Sequence, residues 1–293
     1  MSEYHGFPTH RISSPYLQLD CLSTAGPRIV RLSYKGSPNL FAELPEISLP
    51  TPYGDYRYLG GHRLWHAPEA LPRSYIPDED GLLLSERPHG LFLEGKTEPG
   101  TSMRKSIEFR LEQDRAAVVL THKLSNEGLW EVEVSPWSIT MFRLGGMVIF
   151  PIRRAGMQIH SLLPDRSLAL WPYNSINDPR LALSDDFILL EARKDLPPFK
   201  VGAFNPLGWI AYWRDGILFR KTFEVSDDLT YPDYGCNAET YCDSDFVELE
   251  SLGPLKKLAP GGSLQHTETW ELFDSLDQEF ISRAVSTQLL GIG

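Results

Sequence analysis

The sequence predicts an all-β protein built as one large, mostly antiparallel β-sandwich. Roughly a dozen short segments are rich in β-branched, aromatic or alternating apolar residues. Glycine and proline, 23 of each among 293 residues, are scattered between these segments. No internal repeat or blade-like period is present, which favours a sandwich over a propeller. No low-complexity or charged run marks a boundary, so residues 1–293 are expected to form a single domain.

Two segments have the pattern of β-hairpins. Residues 107–124 alternate in polarity on both sides of EQDR, and residues 208–223 contain Asp215-Gly216, a two-residue turn signal. Helical periodicity is nearly absent until the end of the chain, where an N-cap serine precedes an apolar repeat. We therefore expect a terminal helix and tail at 274–293, with the helix packed on a sheet.

Composition limits the classes of partner. The formal net charge is −11 at pH 7, which argues against a nucleic acid or an anionic membrane as partner. Three cysteines are too few for a disulfide framework in a chain of this length, so free thiols are expected. The N-terminus lacks the apolar core of a signal peptide, and no apolar run reaches membrane-spanning length. We expect a cytoplasmic protein, and the sequence does not predict its oligomeric state.

Residues 246–250, which read FVELE, have the alternation of a strand. Side chains on a strand point to opposite faces in turn, so Val247 and Leu249 share one face, the natural core face. Glu248 and Glu250 share the other face and stand about 7 Å apart, at about 3.3 Å rise per residue. This face is either solvated or carries a pair of carboxylates for acid–base chemistry.

Residues 53–80 combine aromatic, basic and acidic side chains with little strand or helix pattern. Irregular charged and aromatic connections often carry binding sites, although the same residues also suit a loop held by its own aromatics and prolines. His62 and His66 are four residues apart, a spacing that suits a metal only on a helix. Nearby glycines and a proline disfavour a helix here, so no metal site is expected.

Three further side chains stand out in otherwise apolar segments: Trp137, Lys200 and Lys221. Trp137 suits either the core or a stacking platform for the apolar face of a sugar. A lysine inside an apolar strand is unfavourable unless its ammonium reaches solvent or pairs with an acid.

A cluster of acids precedes and enters the FVELE strand. Like charges this close raise one another's pKa unless cations separate them, and Arg63, Lys200 or Lys221 could be those cations. There is no calcium-binding loop, glycine-rich phosphate loop, nucleophile elbow or zinc-protease helix, so no cofactor is expected. The acids are Asp233, Glu239, Asp243, Asp245, Glu248 and Glu250.

The segment from FVELE onward resembles the C-terminal signature of aldose 1-epimerases, also called galactose mutarotases. Glu250, Pro254, the LAPG run at 258–261 and the strand at 266–272 follow that family's order. GPRIVRLSYKGSPNLFAE looks like the family's opening sheet, and GGHRLW sits where the family carries its sugar-binding turn. The resemblance covers most of the chain and is closest to an uncharacterised branch of the mutarotase-like superfamily.

The resemblance implies a β-supersandwich with a sugar-binding cleft. In the enzymes a glutamate removes the anomeric hydroxyl proton while a histidine protonates the ring oxygen. The ring opens, the C1–C2 bond rotates, and reclosure gives the other anomer. Glu250 matches the base by position. The expected substrate-binding residues are Arg63, Trp65, Trp137, Lys200, Lys221, Tyr231, Asp233, Glu239 and Glu248.

The chain departs from the family at the catalytic histidine. The corresponding strand reads SPWSITMF and contains no histidine. His62 is the best substitute as general acid, because imidazole changes protonation near neutral pH, and Tyr231 and Lys221 follow it.

The leading hypothesis is therefore an aldose 1-epimerase-like isomerase that acts on a sugar or sugar derivative through Glu250. The alternative is a non-catalytic carbohydrate-binding protein with the same fold, which the missing histidine favours. A third hypothesis, an eliminase acting on an acidic sugar, needs a tyrosine or histidine base beside a cation, as Tyr231, Lys221 and Arg63 could supply.

Overall fold

The structure, a computed structural model, describes residues 2–152, 162 and 164–274. The terminal helix expected at 274–293 lies outside the described residues except for Asp274. No helix in the described part of the chain is long and apolar enough to cross a membrane. The single-domain organisation and the cytoplasmic location stay predictions.

Antiparallel strands make up most of the described chain. In chain order they are β1 (Ser2–Tyr4), β2 (Phe7–Ser13), β3 (Leu17–Leu22), β4 (Arg28–Tyr34), β5 (Glu43–Thr51), β6 (Gly54–Gly60), β7 (His62–Ala67), β8 (Leu83–Arg87), β9 (Gly90–Glu94), β10 (Met103–Leu111), β11 (Ala117–Asn126), β12 (Val132–Phe142), β13 (Met147–Pro151), β14 (Leu168–Leu170), β15 (Leu181–Leu183), β16 (Phe187–Glu191), β17 (Phe199–Ala203), β18 (Trp209–Arg214), β19 (Ile217–Phe223), β20 (Ala238–Cys242), β21 (Val247–Leu252), β22 (Lys256–Leu258) and β23 (Ser263–Phe273). Between β19 and β20 lies α1 (Pro232–Gly235), a single turn.

Two large sheets form the sandwich, as the sequence predicted. The first has eleven strands, in the order β1-β2-β3-β4-β7-β12-β21-β20-β17-β14, with β22 pairing to β12. The second has ten strands, in the order β15-β16-β13-β18-β19-β23-β11-β10-β9-β8. Strands β5 and β6 form a separate two-stranded sheet.

The two sheets enclose the main apolar core, and β21 contributes to it as its alternation predicts. Val247 and Leu249 are fully buried in this core together with Phe219 and Trp270 of the second sheet. Phe246 instead joins a second apolar cluster with Trp65, Trp137 and Met141 on the outer face of the first sheet. The two faces of β21 are therefore an inter-sheet face and an outer face.

Both predicted hairpins are present. β10 pairs with β11, and β18 pairs with β19, in each case antiparallel. In the second hairpin Asp215 and Gly216 both have positive φ, 52° and 80°, the conformation that a tight two-residue turn between twisted strands requires.

The expectation that residues 53–80 lack regular structure is wrong for their first part, which forms β6 and β7. The two strands meet at Gly60 and Gly61, both with positive φ. A Cβ at Gly60 would lie 2.0 Å from the carbonyl oxygen of Ala42, so only glycine fits there. At this break the chain leaves the two-stranded sheet and enters the first large sheet. The irregular connection follows β7 and consists of residues 68–82.

Candidate functional site

A cleft of about 550 Å³ opens on the outer face of the first sheet. Its floor comes from β7, β12, β17 and β21, which the sheet order places near one another although they are far apart in the chain. Because side chains alternate along a strand, each of these strands contributes every second residue. Those floor residues are Arg63, Trp65, Trp137, Lys200 and Glu248.

Aromatic rings make up much of the wall of this cleft. Trp65 and Trp137 meet edge to face at 5.3 Å between ring centroids, and Trp65 meets Tyr75 in the same way at 4.8 Å. Flat rings that line a cleft in this way provide apolar faces with polar edges, which suits the alternating C–H and O–H surface of a sugar. The aromatic lining is completed by Tyr58, Trp171, Tyr173, Tyr241 and Phe246.

Glu250 lies fully buried next to this floor, with its two carboxylate oxygens in different situations. Its Oε2 accepts hydrogen bonds from Trp137 Nε1 at 2.7 Å and from Lys200 Nζ at 2.8 Å. Its Oε1 has no hydrogen-bond partner among the residues that the structure describes. A buried carboxylate oxygen without a partner is costly, so this atom is suited to accept a hydrogen bond from a ligand.

Lys200 connects Glu250 to a second buried carboxylate. Its Nζ lies 2.8 Å from Glu239 Oε2 and, on the other side, within 4.7 Å of the ring centroids of Trp137 and Trp171. Burial alone would lower the pKa of Lys200, but Glu239 and Glu250 raise it well above its usual value, so the lysine is an ammonium. Burial, and then the charge of Glu250, raise the pKa of Glu239 well above its usual range.

Glu248, two residues before Glu250 on the same strand face, reaches the cleft itself. One carboxylate oxygen, Oε1, accepts a hydrogen bond from Arg63 Nη2 at 3.3 Å. The Arg63 guanidinium also lies over the Trp65 ring, 4.6 Å from its centroid. Burial and the charge of Glu250 raise the pKa of Glu248 to about 8, against the lowering effect of Arg63 and Lys200.

Seven of the predicted site residues are thus brought together. Glu239 and Glu250 are buried and contact Lys200. Lys200 and the remaining four residues line the cleft. These seven are Arg63, Trp65, Trp137, Lys200, Glu239, Glu248 and Glu250.

His62 is not among them, which corrects its expected role as general acid at Glu250. Because Arg63 and Trp65 point outward from β7, His62 points inward, between the sheets. It is fully buried, with Nδ1 2.9 Å from Thr140 Oγ1 and Nε2 2.8 Å from His122 Nε2. Burial lowers its pKa well below its usual value, so His62 is neutral and closed off from the cleft.

Lys221 also lies between the sheets and not in the cleft. Its Nζ lies 3.1 Å from Glu268 Oε1 and donates to the carbonyl oxygen of Leu249 at 3.1 Å. The lysine is fully buried, so it has no path to a ligand on the outer face. Its expected substrate-binding role is therefore wrong.

Tyr231 and Asp233 lie outside the lining of the cleft. The Tyr231 hydroxyl accepts a hydrogen bond from the backbone N–H of Ser226 at 3.0 Å, and its ring packs on Phe204. Asp233 belongs to the turn α1 and has positive φ. Both residues were expected to bind substrate, and neither lines the cleft.

The residues between the sheets could be mistaken for a metal centre. His62, His122 and Glu268 offer ligand atoms within 4.8 Å of one another. Glu268, however, is already paired with the ammonium of Lys221 and accepts from Trp270 Nε1 at 2.9 Å. A neighbouring cation opposes metal binding, so this group fits a hydrogen-bonded core network.

Several lining residues were missed by sequence reasoning, chiefly aromatic residues outside the recognised motifs. Trp171 and Tyr173 follow β14 in the segment WPY, which has the composition of an ordinary strand end. Tyr58 and Tyr75 lie within residues 53–80, where aromatic enrichment was the available signal. Glu69 lies in the same stretch, where acidic enrichment was the signal. Tyr241 had no distinguishing pattern.

No family model and no curated protein matches the sequence. Solved structures do match. A galactose mutarotase-like protein from Lactobacillus casei ATCC 334 aligns over 91% of this chain and 100% of its own, at 10% identity and a TM-score of 0.53. A candidate aldose 1-epimerase from Escherichia coli K12 aligns over 92% of this chain and 100% of its own, at 14% identity and a TM-score of 0.53.

A TPR-domain containing protein from Parabacteroides distasonis ATCC 8503 matches at 13% identity and a TM-score of 0.61. The match covers 92% of this chain but 48% of that protein, so the chain spans about half its length. Identities this low establish the fold alone. The chain has the β-sandwich fold of the aldose 1-epimerase and galactose mutarotase-like proteins, as its sequence resemblance predicted.

Proposed function

We propose that the protein binds a sugar in the aromatic cleft and interconverts its anomers, with Glu250 as general base. The observation that carries this proposal is the position of the Glu250 carboxylate. One oxygen is fixed by Trp137 and Lys200. The other has no partner in the described part of the chain and lies beside a cleft walled by aromatic rings. A base must be held in place and still offer one acceptor to the proton that it removes.

In this mechanism the free Oε1 of Glu250 takes the proton of the anomeric hydroxyl. The C1–O1 bond gains double-bond character as the bond from C1 to the ring oxygen breaks, and the ring oxygen takes up a proton from a general acid. Rotation about C1–C2 and the reverse steps give the other anomer. Lys200 holds the carboxylate in place through the hydrogen bond from its Nζ to Oε2.

The alternative is a carbohydrate-binding protein without catalysis. One specific observation favours it: Glu250 is fully buried, next to a floor formed in part by Trp137 and Lys200. In this alternative the aromatic cleft recognises a sugar, and Glu250 serves only to orient Lys200. The eliminase hypothesis loses its basis, since Tyr231 and Lys221 do not line the cleft with Arg63.

Polarimetry of freshly dissolved α-D-glucose, α-D-galactose and a panel of other aldoses tests the proposal. We expect wild type to accelerate equilibration of at least one sugar, and Glu250→Gln to lose about 10²–10⁴-fold of that rate, the usual contribution of a general base. Glu108→Gln, which changes an exposed carboxylate on β10, is the matched control and should behave as wild type. Saturable sugar binding to wild type with no acceleration on any sugar would establish the non-catalytic alternative.

A further inference from the structure

The proposed reaction needs a proton donor for the ring oxygen, and the fold removes the expected one. His62 faces the space between the sheets, and the described residues that line the cleft include no histidine. The donor must therefore be another side chain that reaches the cleft close to Glu250.

Most of the ionisable groups in the cleft are poor donors. Lys200 is committed to Glu239 and Glu250. Asp243 is an acceptor, because its Oδ1 accepts from the backbone N–H groups of Asp245 and Phe246. Burial raises the pKa of the cleft tyrosines Tyr58, Tyr75, Tyr173 and Tyr241, which makes each hydroxyl a weaker acid.

Glu69 and Asp245 also line the cleft, but both are exposed to solvent. Glu248 is the buried acid that remains in the lining, and its geometry suits the role. It lies on the same face of β21 as Glu250, two residues away, which sets the Cα atoms about 7 Å apart. It lines the cleft, whereas Glu250 lies just behind the lining. Among the described residues its ion-pair partner is Arg63, at 3.3 Å, so the carboxyl group is not locked in a tight ion pair.

We propose that Glu248 is the general acid of this site, donating a proton to the ring oxygen while Glu250 accepts the anomeric proton. This inference rests on the proposed function. The two glutamates of FVELE then form an acid–base pair, and Glu248 replaces the histidine that the resemblance led us to expect.

The groups around Glu248 favour the protonated carboxyl group that a general acid needs. Burial and the negative charges of Glu250 and Glu69 favour the protonated form of Glu248, and Arg63 and Lys200 oppose this. The net result is a pKa of about 8, so Glu248 carries its proton at neutral pH. Glu250 instead has the Lys200 ammonium in direct contact. The neutral hydroxyls that face the same space are those of Tyr58, Tyr75, Tyr173 and Tyr241.

The proton transfers balance over one turnover. On opening, Glu250 gains the O1 proton, the O–H electron pair forms the carbonyl, and the C1–O5 pair leaves on O5, which takes the Glu248 proton. On reclosure O5 returns its proton to Glu248 as it attacks C1, and Glu250 returns its proton to O1. Both side chains end in their starting states, and no further reactant is needed.

The test combines the pH–rate profile of wild type with the variants Glu248→Gln and Glu248→Asp. We expect wild-type kcat/KM for the sugar found by polarimetry to fall as the pH rises through about 8, where Glu248 loses its proton. At pH 7, Glu248→Gln should lose about 10²–10⁴-fold in rate. Its sugar affinity, measured by calorimetry, should change by only a few-fold, and Glu248→Asp should recover part of the rate.

The outcomes separate this inference from the proposed function. Suppose that Glu248→Gln keeps a rate within about threefold of wild type and that its rate still falls at alkaline pH as the wild-type rate does. This result would overturn the role of Glu248 and leave Glu250 as base. No wild-type activity on any sugar would overturn both. The wild-type profile needs no variant, so the inference stays testable even if Glu248→Gln folds poorly.

Discussion

At the scale of single residues, the site depends on one buried cation shared by two carboxylates. Lys200 is 4% exposed, and its Nζ lies 2.8 Å from both Glu239 Oε2 and Glu250 Oε2. Burying three ionisable groups costs desolvation, which only the close contacts offset. The arrangement keeps Glu250 in one position, as the proposed function requires, at some cost to stability.

Lys200→Met should lower the free energy of unfolding by about 3–5 kcal/mol, since it leaves Glu239 and Glu250 buried without their cation. Urea denaturation at pH 8 measures the change. The double variant Lys200→Met/Glu239→Gln should recover part of the loss, and Lys257→Met, an exposed lysine on β22, should match wild type. A loss below about 1 kcal/mol for the single variant would contradict the assignment.

Glu248 should make stability depend on pH in a predictable direction. Its folded-state pKa of about 8 is raised above the unfolded value, about 4.3. The stability that it contributes is therefore fully present below pH ~4.3 and is lost as the pH rises through about 8. Glu248→Gln removes this dependence, so its melting temperature relative to wild type should rise between pH 5 and pH 9.

Glu108→Gln is the control for this prediction. If the melting temperature of Glu248→Gln relative to wild type does not change with pH, the raised pKa of Glu248 is refuted.

At the scale of elements, the two faces of β21 could be assigned from the sequence, while the faces of β7 could not. FVELE alternates apolar and acidic residues, so its period identifies the buried face. HRLWHA alternates as well, but His62, Leu64 and His66 face the core while Arg63 and Trp65 face the cleft. Polar residues occur on both faces, and the preceding glycines resemble a loop, so His62 could not be excluded from the site before its position in β7 was known.

The inner face of β21 should govern stability without contributing to the site. Leu249→Ala removes a fully buried side chain from the inter-sheet core and should cost about 2–5 kcal/mol of unfolding free energy. Its backbone carbonyl, which Lys221 binds, is retained. Leu183→Ala on β15, where the side chain is 54% exposed, is the control and should change stability by less than about 0.5 kcal/mol. Equal effects of the two substitutions would contradict the assigned faces.

At the scale of the whole molecule, the fold assembles the cleft from strands between residues 43 and 252. The fold and the central glutamate could be predicted, because short signatures around β21 and β7 resemble a known family. The aromatic wall could not, since Trp171 and Tyr241 reach it through pairing of β14, β17 and β20 far from those signatures. Such long-range pairings leave no local pattern in the sequence.

The charge balance of the cleft should select uncharged sugars. Its two cations, Arg63 and Lys200, are already paired with carboxylates. Three further acids line it and form no ion pair with a lysine or arginine of the described residues: Glu69, Asp243 and Asp245. We expect a free aldose to bind at least tenfold more tightly than its 6-phosphate in calorimetric titrations at 0.15 M salt, because a phosphate would be repelled. Tighter binding of the phosphate would show that Arg63 or Lys200 is released from its partner.

The central claim is that the cleft catalyses anomer exchange through Glu250. Magnetisation-exchange NMR of the α and β anomeric protons, at equilibrium and with the preferred sugar in excess, measures that exchange directly. The prediction is an exchange rate that rises in proportion to the concentration of wild-type protein and stays at the uncatalysed value with Glu250→Gln. An uncatalysed rate with wild type, or the same acceleration with folded Glu250→Gln, would contradict the claim.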